Sequence, residues 1–259
     1  MSVMDRFRLD GRVAVVTGGA GLYGAGFCRA LAEAGAAVLL TSRDRDKAAA
    51  AAAPLRDEGL QVSAYELDQS APSSVAGFHQ RALAEHGRID VLVNNAVYRQ
   101  GGDLSSTSEE DWDATSAANS KGLFLMCKEI GGGMAAAGGG AIVNVGSIYG
   151  LVAPDFSLYE GTTTTMPAFY AYDKAGMVGF TKYLAAAFGP DGVRVNCLCP
   201  GGLQHEQSPV FLEAYAQRTP LGRMATADDV NGVLVFLSSP AASYMTGAVV
   251  PVDGGWTAR

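Results

Sequence analysis

Tyr170 and Lys174 lie four residues apart in Ala168–Phe188, a run whose apolar spacing predicts a helix. The two side chains therefore share a face. A free phenol titrates at about 10 and exchanges protons poorly at neutral pH. An ammonium beside it favours the phenolate and lowers that value. Tyr170 would then serve as proton donor and acceptor for an alcohol or carbonyl oxygen. The pair is a short motif that chance also produces, so its surroundings decide what it means.

The elements that must position the pair alternate along the chain. Short β-rich runs fall at residues 12–17, 36–41, 61–67, 89–94, 141–147, 193–199 and 248–252. Helical patterns fall at 22–34, 45–58, 73–86, 111–130, 168–188 and 227–237. This alternation predicts an α/β fold with a parallel sheet covered by helices on both faces. The continuously apolar strands fit a sheet buried on both sides. Residues 131–140, GGGMAAAGGG, are expected to end the long helix in a flexible turn. Residues 150–167 form a longer irregular segment.

The first strand runs into Gly18, Gly19, Ala20, Gly21, Leu22, Tyr23 and Gly24. Gly19, Gly21 and Gly24 fit G-x-G-x-x-G between a strand and a helix. In that position the motif lets backbone N–H groups approach a dinucleotide pyrophosphate at a helix N-terminus. The second strand ends near Ser42 and Arg43. An acidic residue there would receive a ribose 2′-OH, whereas Arg would attract a 2′-phosphate. Ser42 followed by Arg43 points to NADP(H) in preference to NAD(H), although Asp44 and Asp46 stand beside them.

In this order the motifs resemble the short-chain dehydrogenases/reductases over nearly the whole chain. VAVVTGGAGLYG is similar to the family's cofactor turn. Leu67-Asp68 matches its adenine contact, and Asn94-Asn95-Ala96 its segment after the fourth strand. Asn119 in WDATSAANSKGLF and Ser147 in AIVNVGS match its active-site Asn and Ser. Tyr170 and Lys174 match its catalytic pair, and RVNCLCPGG and VDGGW its late motifs. The resemblance implies a single Rossmann-type domain over residues 1–259, with a parallel sheet of about seven strands. It implies an oxidoreductase that interconverts an alcohol and a carbonyl with NAD(P)(H).

The roles it implies are specific. Ser147 would hold the substrate oxygen near Tyr170, and Tyr170 would give or take its proton. Lys174 would bind the nicotinamide ribose and lower the Tyr170 pKa. Asn119 would hold a water linking Lys174 to solvent. Gly18, Gly19, Gly21, Leu22, Tyr23, Gly24, Ser42, Arg43, Leu67, Asp68, Asn95, Ala96, Pro200, Gly201 and Leu203 would join Tyr170 and Lys174 around the cofactor. Residues 201–218 would form a mobile substrate lid. A homotetramer, or a homodimer, would pair through residues 111–130 and 168–188.

Three departures stand out. Leu22 occupies the middle Gly position of the family's compact T-G-x-x-x-G-x-G pattern. Val97 follows N-N-A where Gly is usual. Ser147 and Tyr170 are 23 positions apart, several more than is customary. Tyr159 is nearer the usual spacing, but Thr163 stands where Lys would be needed. The extra residues, 148–168, are read as a substrate-facing loop, and a polyhydroxylated substrate is the expectation.

Composition sets the outer limits. A formal net charge of −7 argues against a nucleic-acid partner or an anionic membrane surface. Apolar residues at 48 % and charged residues at 17 % exclude a disordered chain. No apolar run is long enough to cross a bilayer, and the start does not read as a secretory signal, so a cytoplasmic location is expected. Cys28, Cys127, Cys197 and Cys199 form no C-x-x-C pair, and no metal site is expected. Two rival activities remain open at this stage. One is a non-catalytic dinucleotide-sensing protein; the other is a dehydratase or epimerase with tightly bound cofactor.

Overall fold

The computed structural model describes residues 2–258. Its strands are β1 Val13–Val16, β2 Ala37–Ser42, β3 Val62–Glu66, β4 Val91–Asn94, β5 Gly140–Val145, β6 Val193–Pro200 and β7 Val249–Val252. They form one sheet in the order β3-β2-β1-β4-β5-β6-β7, and every pairing is parallel.

The strands are apolar at successive positions because both faces are covered. In β1, Val13 and Val15 point into one core layer, while Ala14 and Val16 point into the other. The helices Leu22–Glu33, Arg45–Asp57 and Asp228–Ser238 close one face through Phe27, Leu31, Leu55 and Leu234. Pro72–His86, the long helix 109–136 and Ala168–Phe188 close the other through Phe78, Ile130 and Leu184. Cys28, Cys127, Cys197 and Cys199 are free and buried in these layers. Among the described residues no helix is long and apolar enough to cross a membrane.

The expectation for residues 131–140 is corrected. The long helix does not end at Ile130. It passes through a π-helical turn at Cys127–Gly131 and continues as Gly132–Ala136, and Gly140 already opens β5. Gly131 and Gly133 serve close packing. A Cβ on Gly131 would stand 2.9 Å from the Phe188 ring, and one on Gly133 would stand 2.7 Å from His79.

Strand order reverses at β1, whose neighbours β2 and β4 lead to opposite ends of the sheet. In open parallel sheets a ligand crevice forms outside the carboxyl ends of the strands at such a point.

Candidate active site

A cavity of about 670 Å³ opens there. It is lined by Thr17 after β1, Ser42 of β2, Leu67 after β3, Asn95 after β4, Val145 of β5 and Pro200 of β6. The sheet order puts Ser42, Arg43, Leu67 and Asp68 at one end of the crevice. Ser147, Tyr170, Lys174, Pro200, Gly201 and Leu203 stand at the other.

The glycine turn forms the floor between them. Gly18 has φ +62°, a conformation that L side chains rarely adopt. A Cβ on it would lie 2.8 Å from Ala96 Cα. Asn95 braces the turn by donating from Nδ2 to the Thr17 and Gly18 carbonyls at 2.9 and 3.1 Å. The helix Leu22–Glu33 starts at Gly21 without a side-chain cap, so its first N–H groups suit an anion.

Gly18, Gly21, Leu22 and Tyr23 line the cavity, as do Asn95 and Ala96. Gly19 and Gly24, also expected at the cofactor, are not among the residues that line it. Gly19 lies against Leu40 and Cys28, where a Cβ would come within 2.6 and 3.0 Å. A Cβ on Gly24 would lie 2.1 Å from the Gly18 carbonyl oxygen. Both glycines let the turn pack on itself and on β2. Gly24→Ala should therefore act as an overpacking change worth roughly 1–3 kcal/mol, seen as a lower thermal unfolding midpoint without added cofactor.

At the reactive end, Tyr170 and Lys174 project from one face of Ala168–Phe188, and both are buried. Ser147 follows β5 and caps the short turn Ile148–Gly150, accepting the Tyr149 N–H at 3.2 Å. Gly150 allows that turn to lie directly on the helix, since a Cβ there would sit 2.6 Å from the Lys174 carbonyl oxygen. Two elements distant in sequence thus bring Ser147, Tyr170 and Lys174 together. The Lys174 ammonium donates to the Val145 carbonyl at 2.6 Å.

Burial alone would push the Tyr170 phenol up. Lys174, then Arg99 and Ser147, pull it down, and the net result lies below the ordinary tyrosine value.

Asn119 stands behind this group. It occupies a π-helical turn, Ala117–Lys121, of the long helix; such turns often mark functional positions. Together with Lys174 it borders a second cavity of about 90 Å³, outside the main crevice. Its Oδ1 accepts the Tyr98 N–H at 2.8 Å. Its Nδ2 donates to the Tyr98 carbonyl at 3.0 Å and to Asp173 Oδ2 at 2.9 Å. Both amide hydrogens are engaged, so only Oδ1 keeps a lone pair for a water.

Three further residues at this end carry no motif that sequence reasoning could use. Arg99 lies over the Tyr170 ring, Cζ to centroid 4.8 Å. Tyr98 carries the Arg43 guanidinium on its ring at 4.9 Å. Asp173 holds Asn119 and also accepts from Ser120 Oγ at 2.6 Å. Only the position of Arg99 just after the Asn-Asn-Ala segment could have drawn attention to it.

The residues read as a substrate-facing loop do reach the cavity through Tyr149, Tyr159 and Met166. In the stretch expected to form a lid, Leu203 and Gln207 line the cavity, and the helix Pro209–Arg218 adds Phe211 and Tyr215. Tyr215 accepts the Gly202 N–H at 2.6 Å and stacks on Trp256 at 4.5 Å. Burial raises its phenol to about 12. Tyr159 packs against Phe211, ring centroids 5.4 Å apart, and is not on the helix that carries Lys174.

A parallel sheet with its crevice at the strand reversal, floored by a glycine turn and ending at a Ser–Tyr–Lys group, defines a dinucleotide-dependent oxidoreductase. Comparison with known proteins agrees. The family profile described as enoyl-(acyl carrier protein) reductase matches residues 21–257. The chain is 37 % identical to D-threitol dehydrogenase of Mycolicibacterium smegmatis, over 100 % of this chain and 98 % of that one. It is 35 % identical to a 3-oxoacyl-(acyl-carrier-protein) reductase of Chlamydia muridarum, over 95 % and 98 %. A crystal structure of a gluconate 5-dehydrogenase from Burkholderia cenocepacia, in complex with NADP and tartrate, superposes with a TM-score of 0.91. That match has 33 % identity and covers 100 % of both chains. The chain belongs to the short-chain dehydrogenase/reductase family. It is an oxidoreductase of CH–OH groups that uses NAD(P).

Proposed function

We propose that the chain is an NADP(H)-preferring dehydrogenase of a polyhydroxylated substrate, with Tyr170 as the residue that moves the proton. The observation that carries this reading is the buried Tyr170 phenol. It faces the crevice and is held below its ordinary pKa by Lys174, Arg99 and Ser147 despite burial.

The glycine turn fits a dinucleotide, because Gly18 and Gly21 line the crevice beside the uncapped start of the helix Leu22–Glu33. Gly18, Gly21, Leu22 and Tyr23 would hold the pyrophosphate. Leu67 and Asp68 would hold the adenine, and Asn95, Ala96, Pro200, Gly201 and Leu203 the remainder. When bound, the nicotinamide supplies the hydride acceptor or donor. Ser147 orients the substrate oxygen. Tyr170 deprotonates an alcohol or protonates a carbonyl at that oxygen. Lys174 anchors the ribose and stabilises the phenolate. Asn119 positions the loop at Tyr98 and offers Oδ1 to a water at the rear of Lys174. The helix Pro209–Arg218, with Gln207 before it, covers the substrate.

Preference for NADP(H) is supported by how the acids beside Arg43 are used. Asp44 Oδ1 accepts from the Asp46 and Lys47 N–H groups, both at 3.0 Å, and so caps its own helix. Arg43, by contrast, forms no carboxylate pair among the described residues. Arg43→Ala should raise KM for NADP roughly 10- to 100-fold, the size of a charge-assisted contact to a phosphate, and change KM for NAD little.

The D-threitol dehydrogenase and gluconate 5-dehydrogenase that this chain resembles are named for polyhydroxylated substrates. The hydroxyls of Tyr149, Tyr159 and Ser147, with Gln207, suit such a ligand. Screening polyols, sugars, aldonates and ketones by NADPH and NADH absorbance tests the reading. Turnover of a polyhydroxylated compound with NADP(H) is expected. Product formed without net change in cofactor would indicate a dehydratase or epimerase instead.

Self-pairing through the two long helices is supported by exposed Phe124, Tyr172 and Tyr183 on them, and light scattering would read the assembly.

A further inference from the structure

Arg99 has a setting that proton transfer does not require. Its backbone is delivered by a fixed segment, because Asn119 bonds both the N–H and the carbonyl of Tyr98. Its guanidinium lies over the Tyr170 ring, with Nη2 3.4 Å from the phenol oxygen. That oxygen is its only side-chain hydrogen-bond partner among the described residues. Arg8, Arg12, Arg29, Arg88, Arg218 and Arg223 face carboxylates; among the described residues Arg99, like Arg43 at the other end of the crevice, does not.

The cavity wall sharpens this contrast. Among the described residues its only acidic ones are Asp44 and Asp68, both at the adenosine end. Of the two acids of the inserted loop, Asp155 is already paired with Arg218 and Glu160 is exposed, and neither lines the cavity. In a chain of net charge −7, the cavity wall at the reactive end therefore carries two cations, Lys174 and Arg99, and no acid among the described residues; Asp173, which borders the second cavity behind Lys174, is already held by Asn119 and Ser120. Lys174 is buried and already donates to the Val145 carbonyl. Arg99 is exposed to the cavity and presents a planar fork of N–H donors, the geometry that matches a carboxylate through two parallel hydrogen bonds.

We propose that Arg99 is the carboxylate receptor of the substrate pocket, and that the substrate is a hydroxy acid of the aldonate type or its oxo-acid product. This rests on the reading of Tyr170 given above and narrows the substrate class. The carboxylate sits on the Arg99 fork, and the reacting carbinol lies at Ser147 and Tyr170. The remaining hydroxyls meet Tyr149, Tyr159 and Gln207. In oxidation the carbinol carbon gives its hydride to NADP⁺ and the hydroxyl gives its proton to the Tyr170 phenolate. The products are the oxo acid, NADPH and one proton released to solvent.

The test compares matched acids and polyols, D-gluconate with D-glucitol and threonate with threitol, in wild type, Arg99→Gln and Arg99→Lys. Rates are read at the alkaline plateau of each variant, so that any effect of Arg99 on Tyr170 itself drops out. The wild type is expected to favour the acid of at least one pair. In Arg99→Gln the acid-to-polyol ratio of kcat/KM should fall roughly 10- to 100-fold, mostly through KM, the size of a charge-assisted hydrogen-bond pair. Arg99→Lys should restore part of that ratio. NADPH binding measured by fluorescence checks that each variant is folded.

Equal or better use of polyols by the wild type would overturn the proposal while leaving the Tyr170 reading intact. So would an equal loss on both substrate classes in Arg99→Gln. If neither class is turned over, the reading of the site as a polyhydroxy-substrate dehydrogenase fails. Calorimetric titration of gluconate and glucitol into the NADP⁺-loaded protein then decides Arg99 alone. Gluconate binding that is lost in Arg99→Gln supports the receptor, and binding that is absent or indifferent to the substitution overturns it.

Discussion

Tyr170→Phe should lower kcat/KM by about 10²- to 10⁴-fold, the usual worth of a positioned general acid or base, while binding of NADP(H) is kept. The substitution removes one oxygen and retains the ring. The packing of the ring with Ile148, Tyr149 and Phe169 in the small apolar cluster around it therefore survives. What is lost is the proton acceptor next to Ser147. No other phenol can replace it. Burial pushes the phenols of Tyr149, Tyr159 and Tyr215 upward, so they stay protonated where Tyr170 ionises. Steady-state rates in both directions, with cofactor binding followed by fluorescence, check the result. The loss should appear in kcat, because the interaction is made with the reacting oxygen and not with the remote parts of the substrate.

Lys174→Met should cost at least as much, roughly 10²- to 10⁴-fold, and should also move the pH profile. Oxidation needs the phenolate, so its rate rises with pH through the Tyr170 titration. Reduction needs the phenol, so its rate falls through the same titration. In the wild type that titration lies below the ordinary tyrosine value, because Lys174, Arg99 and Ser147 outweigh burial. Without the ammonium the burial penalty is opposed only by Arg99 and Ser147. The midpoint then moves to higher pH, oxidation needs more alkaline conditions, and reduction persists further into the alkaline range. The variant also loses the 2.6 Å bond to the Val145 carbonyl, leaving a buried acceptor unpaired. A lower unfolding midpoint should accompany the kinetic loss. The oxidation pH–rate profile separates the two effects, because a purely structural loss lowers the plateau without shifting the midpoint.

The sheet was legible because each strand is a short apolar run between breakers. Residues 12–17, for example, bracket β1, Val13–Val16. The ends and interior of the long helix were less so. Ser108 caps its start by accepting the Asp111 N–H, which places the first turn slightly before the apolar pattern begins. Its glycine-rich end reads as flexible in sequence, yet Gly131 and Gly133 are sites of close approach to Phe188 and His79. Those neighbours are more than fifty residues away in the chain, and local pattern cannot report them.

The site divides in the same way. Ser147, Tyr170 and Lys174 could be found from type and order. The motif at Gly19 and Gly24 identified residues that matter without saying that they face the protein interior. Asn119 could be found, but not its engagement with Tyr98 and Asp173, which depends on a π-helical turn. Arg99 has neither periodicity nor a motif of its own, and its place over Tyr170 is set by the hold of Asn119 on the preceding residue. The inserted loop shows both outcomes. Tyr149 and Tyr159 reach the cavity, whereas Thr162 bonds the Tyr159 carbonyl and Thr164 within its own turn.

The most direct test of the account is the titration of the Tyr170 phenol itself, read as the ultraviolet difference between wild type and Tyr170→Phe across the alkaline range. One phenol should ionise below the ordinary tyrosine value, with the same midpoint governing the rise of the oxidation rate. A phenol that ionises at or above that value, or a Tyr170→Phe variant that keeps the wild-type rate, would contradict it.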